Sequence, residues 1–150
     1  QKWPKLKSPQ LKNIDQIRSI ERPISTFRGY NLLTDIMWAD PNPNISYFNK
    51  SERGYGRTFG QEAINEFCSE FCIEKVIRSH QCIQSGIEFT FCDKLITVFS
   101  CSNYCDTCKN QAAYLHINGE SIDQFILQPL NILKRNKAIF VEEWINLYST

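Results

Sequence analysis

The chain has 150 residues, enough for one domain with a packed core. Apolar residues make up 42% and charged residues 22%, which excludes wholesale disorder. A net charge of +1 removes the electrostatic case for a general nucleic-acid or acidic-membrane binder, and no apolar run approaches the roughly 20 residues of a membrane helix.

Residues 1–10 are basic, hold Pro4 and Pro9, and predict an extended lead-in. Leu11, Ile14, Ile17 and Ile20 then recur at helical spacing. Ser8-Pro9 offers a start and Pro23 a stop, so a short amphipathic helix is expected over 11–21. A second apolar stretch covers 30–38 and is broken hard by Asp40-Pro41-Asn42-Pro43-Asn44. From there to Gly60 the chain reads as loop. It includes Arg53-Gly54-Tyr55-Gly56, where two glycines would let backbone approach a bound group. An arginine at such a place suits phosphate, because its planar fork gives parallel hydrogen bonds; taken alone, the pattern is a weak signal and reads first as a surface turn with a solvated arginine. Ala63, Ile64, Phe67, Cys68 and Phe71 predict a helix over 61–71.

Residues 74–108 are expected to form three strands and two loops. Val76-Ile77 opens the first strand, 86–91 forms the second, and the β-branched 95–99 forms the third. The first strand empties into Arg78-Ser79-His80-Gln81 and the third into the loop 100–108. Polar residues at the ends of buried strands are a usual place for a site. Strands over 112–117 and 124–127 follow, with Asn118-Gly119 as a hairpin signal. His116 lies on the first of these and reads as an ordinary strand residue. The tail, 131–150, carries Lys134, Arg135 and Lys137, then a helix-like pattern through Val141, Trp144, Ile145, Leu147 and Tyr148 that could dock on the domain or on a partner.

The seven cysteines are odd in number and several lie in apolar runs, which predicts reduced thiols in an intracellular protein. Cys101, Cys105 and Cys108 have a spacing compatible with zinc. No second cysteine or histidine pair supplies a fourth ligand, so reduced loop thiols are expected instead. No signal peptide is visible, and a chain that begins at Gln1 reads as a fragment or a processed product.

Four pieces line up in order: the run Leu33-Thr34-Asp35-Ile36-Met37-Trp38-Ala39-Asp40-Pro41, then Arg53-Gly54-Tyr55-Gly56-Arg57-Thr58-Phe59-Gly60, then Arg78-Ser79-His80-Gln81, then the run from Leu95 through Ser100-Cys101-Ser102-Asn103-Tyr104-Cys105. Their order and spacing, over about 8–129, resemble the C-terminal half of the phosphoprotein phosphatase superfamily of serine/threonine phosphatases, most like the type-1 branch. The resemblance implies an α+β fold, part of a metallophosphatase-type β-sandwich flanked by helices, with mostly antiparallel strands. A partial catalytic domain would occupy 1–130 and a divergent tail 131–150.

The resemblance also implies the chemistry. Two divalent metal ions of manganese, iron or zinc type activate a hydroxide that attacks a phosphoprotein ester, and arginines clamp the phosphoryl oxygens. His80 would be a metal ligand and Arg53 a phosphate ligand. Tyr104, between Asn103 and Cys105, would wall the cleft, with Trp38 and Asp40 near its floor and substrate groove. Gly54 and Gly60 would serve backbone geometry. The implied partners are phosphoprotein substrates and regulatory subunits, without nucleic acid or membrane, in the cytoplasm or nucleus.

The family's other metal-binding motifs do not occur in these residues. There is no Gly-Asp pair, and the position of a further ligand histidine falls at Pro4. Cys101-Ser102 stands where the family has Ala-Pro, and Arg57 where it has an aromatic residue. At most a partial metal site is therefore expected, and the chain by itself is predicted inactive. The alternative is a non-catalytic, phosphatase-derived binding protein.

Overall fold

A computed structural model describes residues 11–24, 31–119 and 121–129. The predicted lead-in and the tail helix lie outside them, as does the proposed boundary near 130. The fold is α+β. In chain order it has α1 (Asp15–Arg18), α2 (Leu32–Trp38), β1 (Asp40–Pro41), β2 (Phe48–Lys50), β3 (Arg57–Phe59), α3 (Gln61–Glu70), β4 (Val76–Arg78), β5 (Ile87–Thr90), β6 (Leu95–Val98), a 3-10 turn (Tyr104–Asp106), β7 (Ala112–Asn118) and β8 (Ser121–Leu127).

The first predicted helix shrinks to the single turn of α1. Asn13 Oδ1 accepts from the Asp15 N–H, and Gln16 Oε1 accepts from the N–H groups of Lys12 and Asn13. Side chains thus take the backbone donors ahead of the turn, and Leu11 is buried from a non-helical position. α2 starts at Asn31, whose Oδ1 accepts from both the N–H and the hydroxyl of Thr34. It ends before Asp40-Pro41, since the residue preceding a proline avoids the helical region.

The stretch to Gly60, expected as loop, contains strands. β3 is central in a small sheet ordered β1-β3-β2, parallel to β1 and antiparallel to β2. These strands are two or three residues long, too short to show a period. Gly60 closes this sheet onto α3. A Cβ there would lie 1.7 Å from the Ile45 carbonyl oxygen. The bare backbone lets the Gly60 N–H reach Tyr47 O, while the Ser46 carbonyl accepts from the Glu62 and Ala63 N–H groups at the start of α3. Gly56 (φ +69°) brings its loop against Trp38 Cβ, so its closeness serves packing on α2.

The second sheet has the order β4-β6-β5, with β4 parallel and β5 antiparallel to β6. Alternation along β6 divides the core. Leu95 joins Val76, Phe91, Phe59 and the α3 residues Ala63, Ile64, Phe67 and Cys68 on one side. Ile96 joins Ile87, Ala113, Val98, Leu115 and Ile122 on the other. α3 therefore covers one face, as its spacing predicted, and the β7–β8 hairpin covers the other. The hairpin pairs Asn118 with Ser121, so the turn falls one residue later than an Asn118-Gly119 turn, and Gly119 (φ +55°) takes its first central position instead of the second. Among the described residues no helix is long and apolar enough to cross a membrane.

Two buried polar contacts fix the rest. The Asp35 side chain is fully buried, and Arg57 Nε bonds its Oδ2 at 3.3 Å. Arg57 is the departure noted above, and it serves as counter-ion to α2. Asn110, also fully buried, organises the loop after β6. Its Oδ1 accepts from the Tyr104 N–H at 2.8 Å, and its Nδ2 donates to Cys101 O at 2.7 Å and Gln111 O at 2.8 Å.

Replacing Arg57 with Leu leaves the Asp35 carboxylate without its counter-ion and is expected to cost about 3 kcal/mol in urea unfolding. Adding Asp35→Asn should recover part of that loss; no difference between the single and double variants would contradict an ion pair that matters. Asn110→Ala removes three hydrogen bonds at a fully buried position and should cost about 3 kcal/mol. Its second signature is faster amide exchange at Tyr104.

Candidate functional site

β4 and β6 run parallel, so the loops that leave their C-terminal ends emerge at the same edge of the sheet. The loop after β4 carries His80 and the loop after β6 carries Asn103, Tyr104 and Cys105. The Gln111 N–H donates to Gln84 O at 2.9 Å, and Gln84 Nε2 donates to Lys109 O at 3.2 Å, so the two loops are tied together.

On the β4 side the residues singled out in the sequence come together. The Trp38 ring meets His80 edge-on at 4.7 Å between centroids, and meets Tyr55 in the same way at 4.9 Å. Asp40 is almost buried. Arg53 Nε bonds its Oδ2 at 2.7 Å and Arg78 Nη2 bonds its Oδ1 at 3.0 Å. Arg78 also donates to Ala39 O at 3.2 Å and to Gln81 Oε1 at 2.5 Å. One carboxylate thus holds two guanidinium groups, and the trio carries a net positive charge. Burial pushes the Arg78 guanidinium below its usual range and Arg53 adds repulsion, while Asp40 opposes both. Arg53 is the more open of the two, with 39% of its side chain exposed against 8% for Arg78. The bond to Asp40 uses Nε, and fork-like phosphate recognition would use the Nη donors.

His80 has φ +89°, an uncommon backbone for a non-glycine residue, and is exposed. Imidazole can ligate a divalent metal. Among the described residues, however, no three His, Cys, Asp or Glu side chains are arranged to hold a metal ion. The donors present therefore do not fit a two-metal centre by themselves.

On the β6 side Tyr104 sets its ring edge-on to Phe99 at 5.3 Å, and 44% of the residue is exposed. Asn103 and Cys105 both have positive φ, +46° and +56°. Asn103 Nδ2 contacts Asp106 Oδ1 at 3.5 Å. His116 lies away from both loops, exposed on β7 with Asp123 across the hairpin at 3.7 Å.

Sequence reading missed Arg78, Asn110 and Cys82 as site residues. For Arg78 the signal was a cation at the end of an apolar strand. Cys82 lies after β4, yet Cys101, Cys105 and Cys108 all act on it. Desolvation pushes its thiol pKa up first, then Cys108, then Cys101 and Cys105, although the residue is exposed. All seven cysteines are free thiols, and of these Cys68 is the buried one.

No family model matches the sequence. Among solved structures the chain is similar to a protein serine/threonine phosphatase from Saccharomyces cerevisiae, itself described as similar to human phosphatase PP5. The two are 24% identical, with a TM-score of 0.73 over 85% of this chain. The chain spans 43% of that protein's length. At this identity the likeness shows the fold: these residues form part of a metallophosphatase-type α+β domain.

Proposed function

We propose that this chain is the C-terminal portion of the catalytic domain of a metal-dependent protein serine/threonine phosphatase, a hydrolase of phosphoprotein monoesters. The observation that supports this most is the cluster of Asp40, Arg53 and Arg78 beside Trp38 and His80. It sets an excess of fixed positive charge next to an exposed imidazole, on a fold shared with a known phosphatase. The proposed placement in the type-1 branch rests on the motifs alone. Regulatory subunits and a cytoplasmic or nuclear setting belong to the same reading.

In it, Arg53 presents its Nη donors to the phosphoryl oxygens while Asp40 fixes the guanidinium plane through Nε. Arg78 stays buried and holds Asp40 in place. His80 contributes one metal ligand, and Tyr104 walls the other side. The metal pair of such an enzyme supplies a nucleophilic hydroxide at neutral pH. Its remaining ligands must come from outside these residues, because one imidazole does not assemble two metal sites.

A second reading is favoured by that donor set. A cationic cluster with a single metal donor can hold a phosphorylated partner without cleaving it.

The 150-residue chain is expected to show no manganese-dependent hydrolysis of a phosphoserine peptide; hydrolysis that His80→Ala abolishes would overturn this. Phosphate should still bind. In a background where Trp3 and Trp144 are replaced by Phe, inorganic phosphate should change the fluorescence of Trp38. Arg53→Ala should weaken that response by about tenfold, the scale of one charge-assisted hydrogen bond. A titration unchanged by Arg53→Ala would remove the phosphate site and, with it, both readings.

A further inference from the structure

Cys82 and Cys108 are 26 positions apart in sequence, on the loops after β4 and β6. The parallel pairing of those strands brings the loops to one edge. The hydrogen bonds from Gln111 to Gln84 and from Gln84 to Lys109 clamp the backbone beside both cysteines. Of the three thiols on the loop after β6, Cys108 acts most strongly on Cys82. Both are free and exposed, so neither is there to fill the core. Cys108 is also fixed from its own side, because its N–H donates to Tyr104 O at 3.1 Å.

We propose that Cys82 and Cys108 form a reversible disulfide, a thiol-modification site that joins the loop bearing His80 to the loop bearing Tyr104. The co-reactant is a peroxide. An oxygen of hydrogen peroxide is transferred to one sulfur: the S–O bond forms as the O–O bond breaks, and a water leaves. The second sulfur then attacks the first. The S–S bond forms, the S–O bond breaks, and the hydroxyl departs as water with the remaining thiol proton. Together the two thiols lose two electrons and two protons, and the peroxide becomes two waters. A small thiol such as glutathione reverses the bond by exchange. Because the link spans loops distant in sequence, it restricts both loops together, as a link within the 101–108 segment would not. Its formation does not rest on the phosphatase reading, since it needs only the two sulfurs and the oxidant.

The test uses the full 150-residue chain, oxidised with hydrogen peroxide, alkylated and mapped by mass spectrometry without reduction. The expected product has lost two hydrogens and carries a Cys82–Cys108 link located by fragmentation, and glutathione restores both thiols. The link should persist in Cys101→Ser and Cys105→Ser and vanish in Cys82→Ser. Amide exchange across residues 79–86 should slow on oxidation of the parent chain and not of Cys82→Ser. A control in urea separates geometry from reactivity, because unfolding should shift pairing toward Cys105 and Cys108. A main product that links Cys105 to Cys108 in the folded chain would overturn the proposal. So would Cys82 recovered alkylated, or a Cys82–Cys108 link forming equally well in urea.

Discussion

Everything at the cationic edge depends on the Asp40 carboxylate. Arg53 and Arg78 come from segments 25 positions apart, and the fold brings them near enough in a half-dry setting to repel. Asp40 accepts from one guanidinium with each of its oxygens, so the repulsion is offset and both planes are set at once. Its position follows from local structure. α2 must stop before Pro41, and the turn out of the helix delivers Asp40 into β1, where it pairs in register with Thr58. The arginine planes are thus fixed by a helix end and a strand register. Removing this one acid would leave Arg78, whose side chain is nearly buried, without its counter-ion.

The second constraint is the double-faced β6. Its alternating residues serve two cores, so a register slip of one residue would exchange Leu95 and Thr97 with Ile96 and Val98 and break both. That rigidity makes the loops at its edge usable. The loop after β6 takes backbone conformations with positive φ at Asn103, Cys105 and Asp106 and is held in them by Asn110. Strain in the loop is supported by hydrogen bonds at its base, which are anchored next to β7.

Much of this was legible in the sequence, and the failures have a common cause. The α3 period and the β-branched run of β6 are local, and both elements stand where their residues put them, while the Asn-Gly signal marks the hairpin but not its turn, which falls one residue later. The grouping of Trp38, Asp40, Arg53 and His80 could be anticipated only through resemblance, because the residues are scattered and none is distinctive alone. β1, β2 and β3 are too short to carry a period and exist because they pair. α1 is cut short by side chains competing for backbone donors, which helical spacing of isoleucines does not reveal. Asn110 looks like any loop asparagine until its burial is known. Cys82 is 19 or more positions from Cys101, Cys105 and Cys108 in sequence and comes to the same edge only through the parallel strand pair, and among the described residues these thiols are not arranged to hold a metal ion.

Arg57 ties β3 to α2. Against the family pattern it is a charge in place of an aromatic ring beside the site, which argues for lost binding. In the fold it lies against Asp35, 22 positions earlier, and that acid is fully buried in α2. A buried carboxylate demands a partner, and an arginine on the neighbouring strand supplies one with part of its side chain still wetted. The substitution therefore concerns how α2 is held on β3, and it leaves Arg53 and Asp40 to their own bond. It also links the two halves of the cationic edge. α2 ends in Trp38 and leads to Asp40, and β3 follows the turn that carries Arg53, so the ion pair at their backs sets the distance across which Asp40 and Arg53 meet.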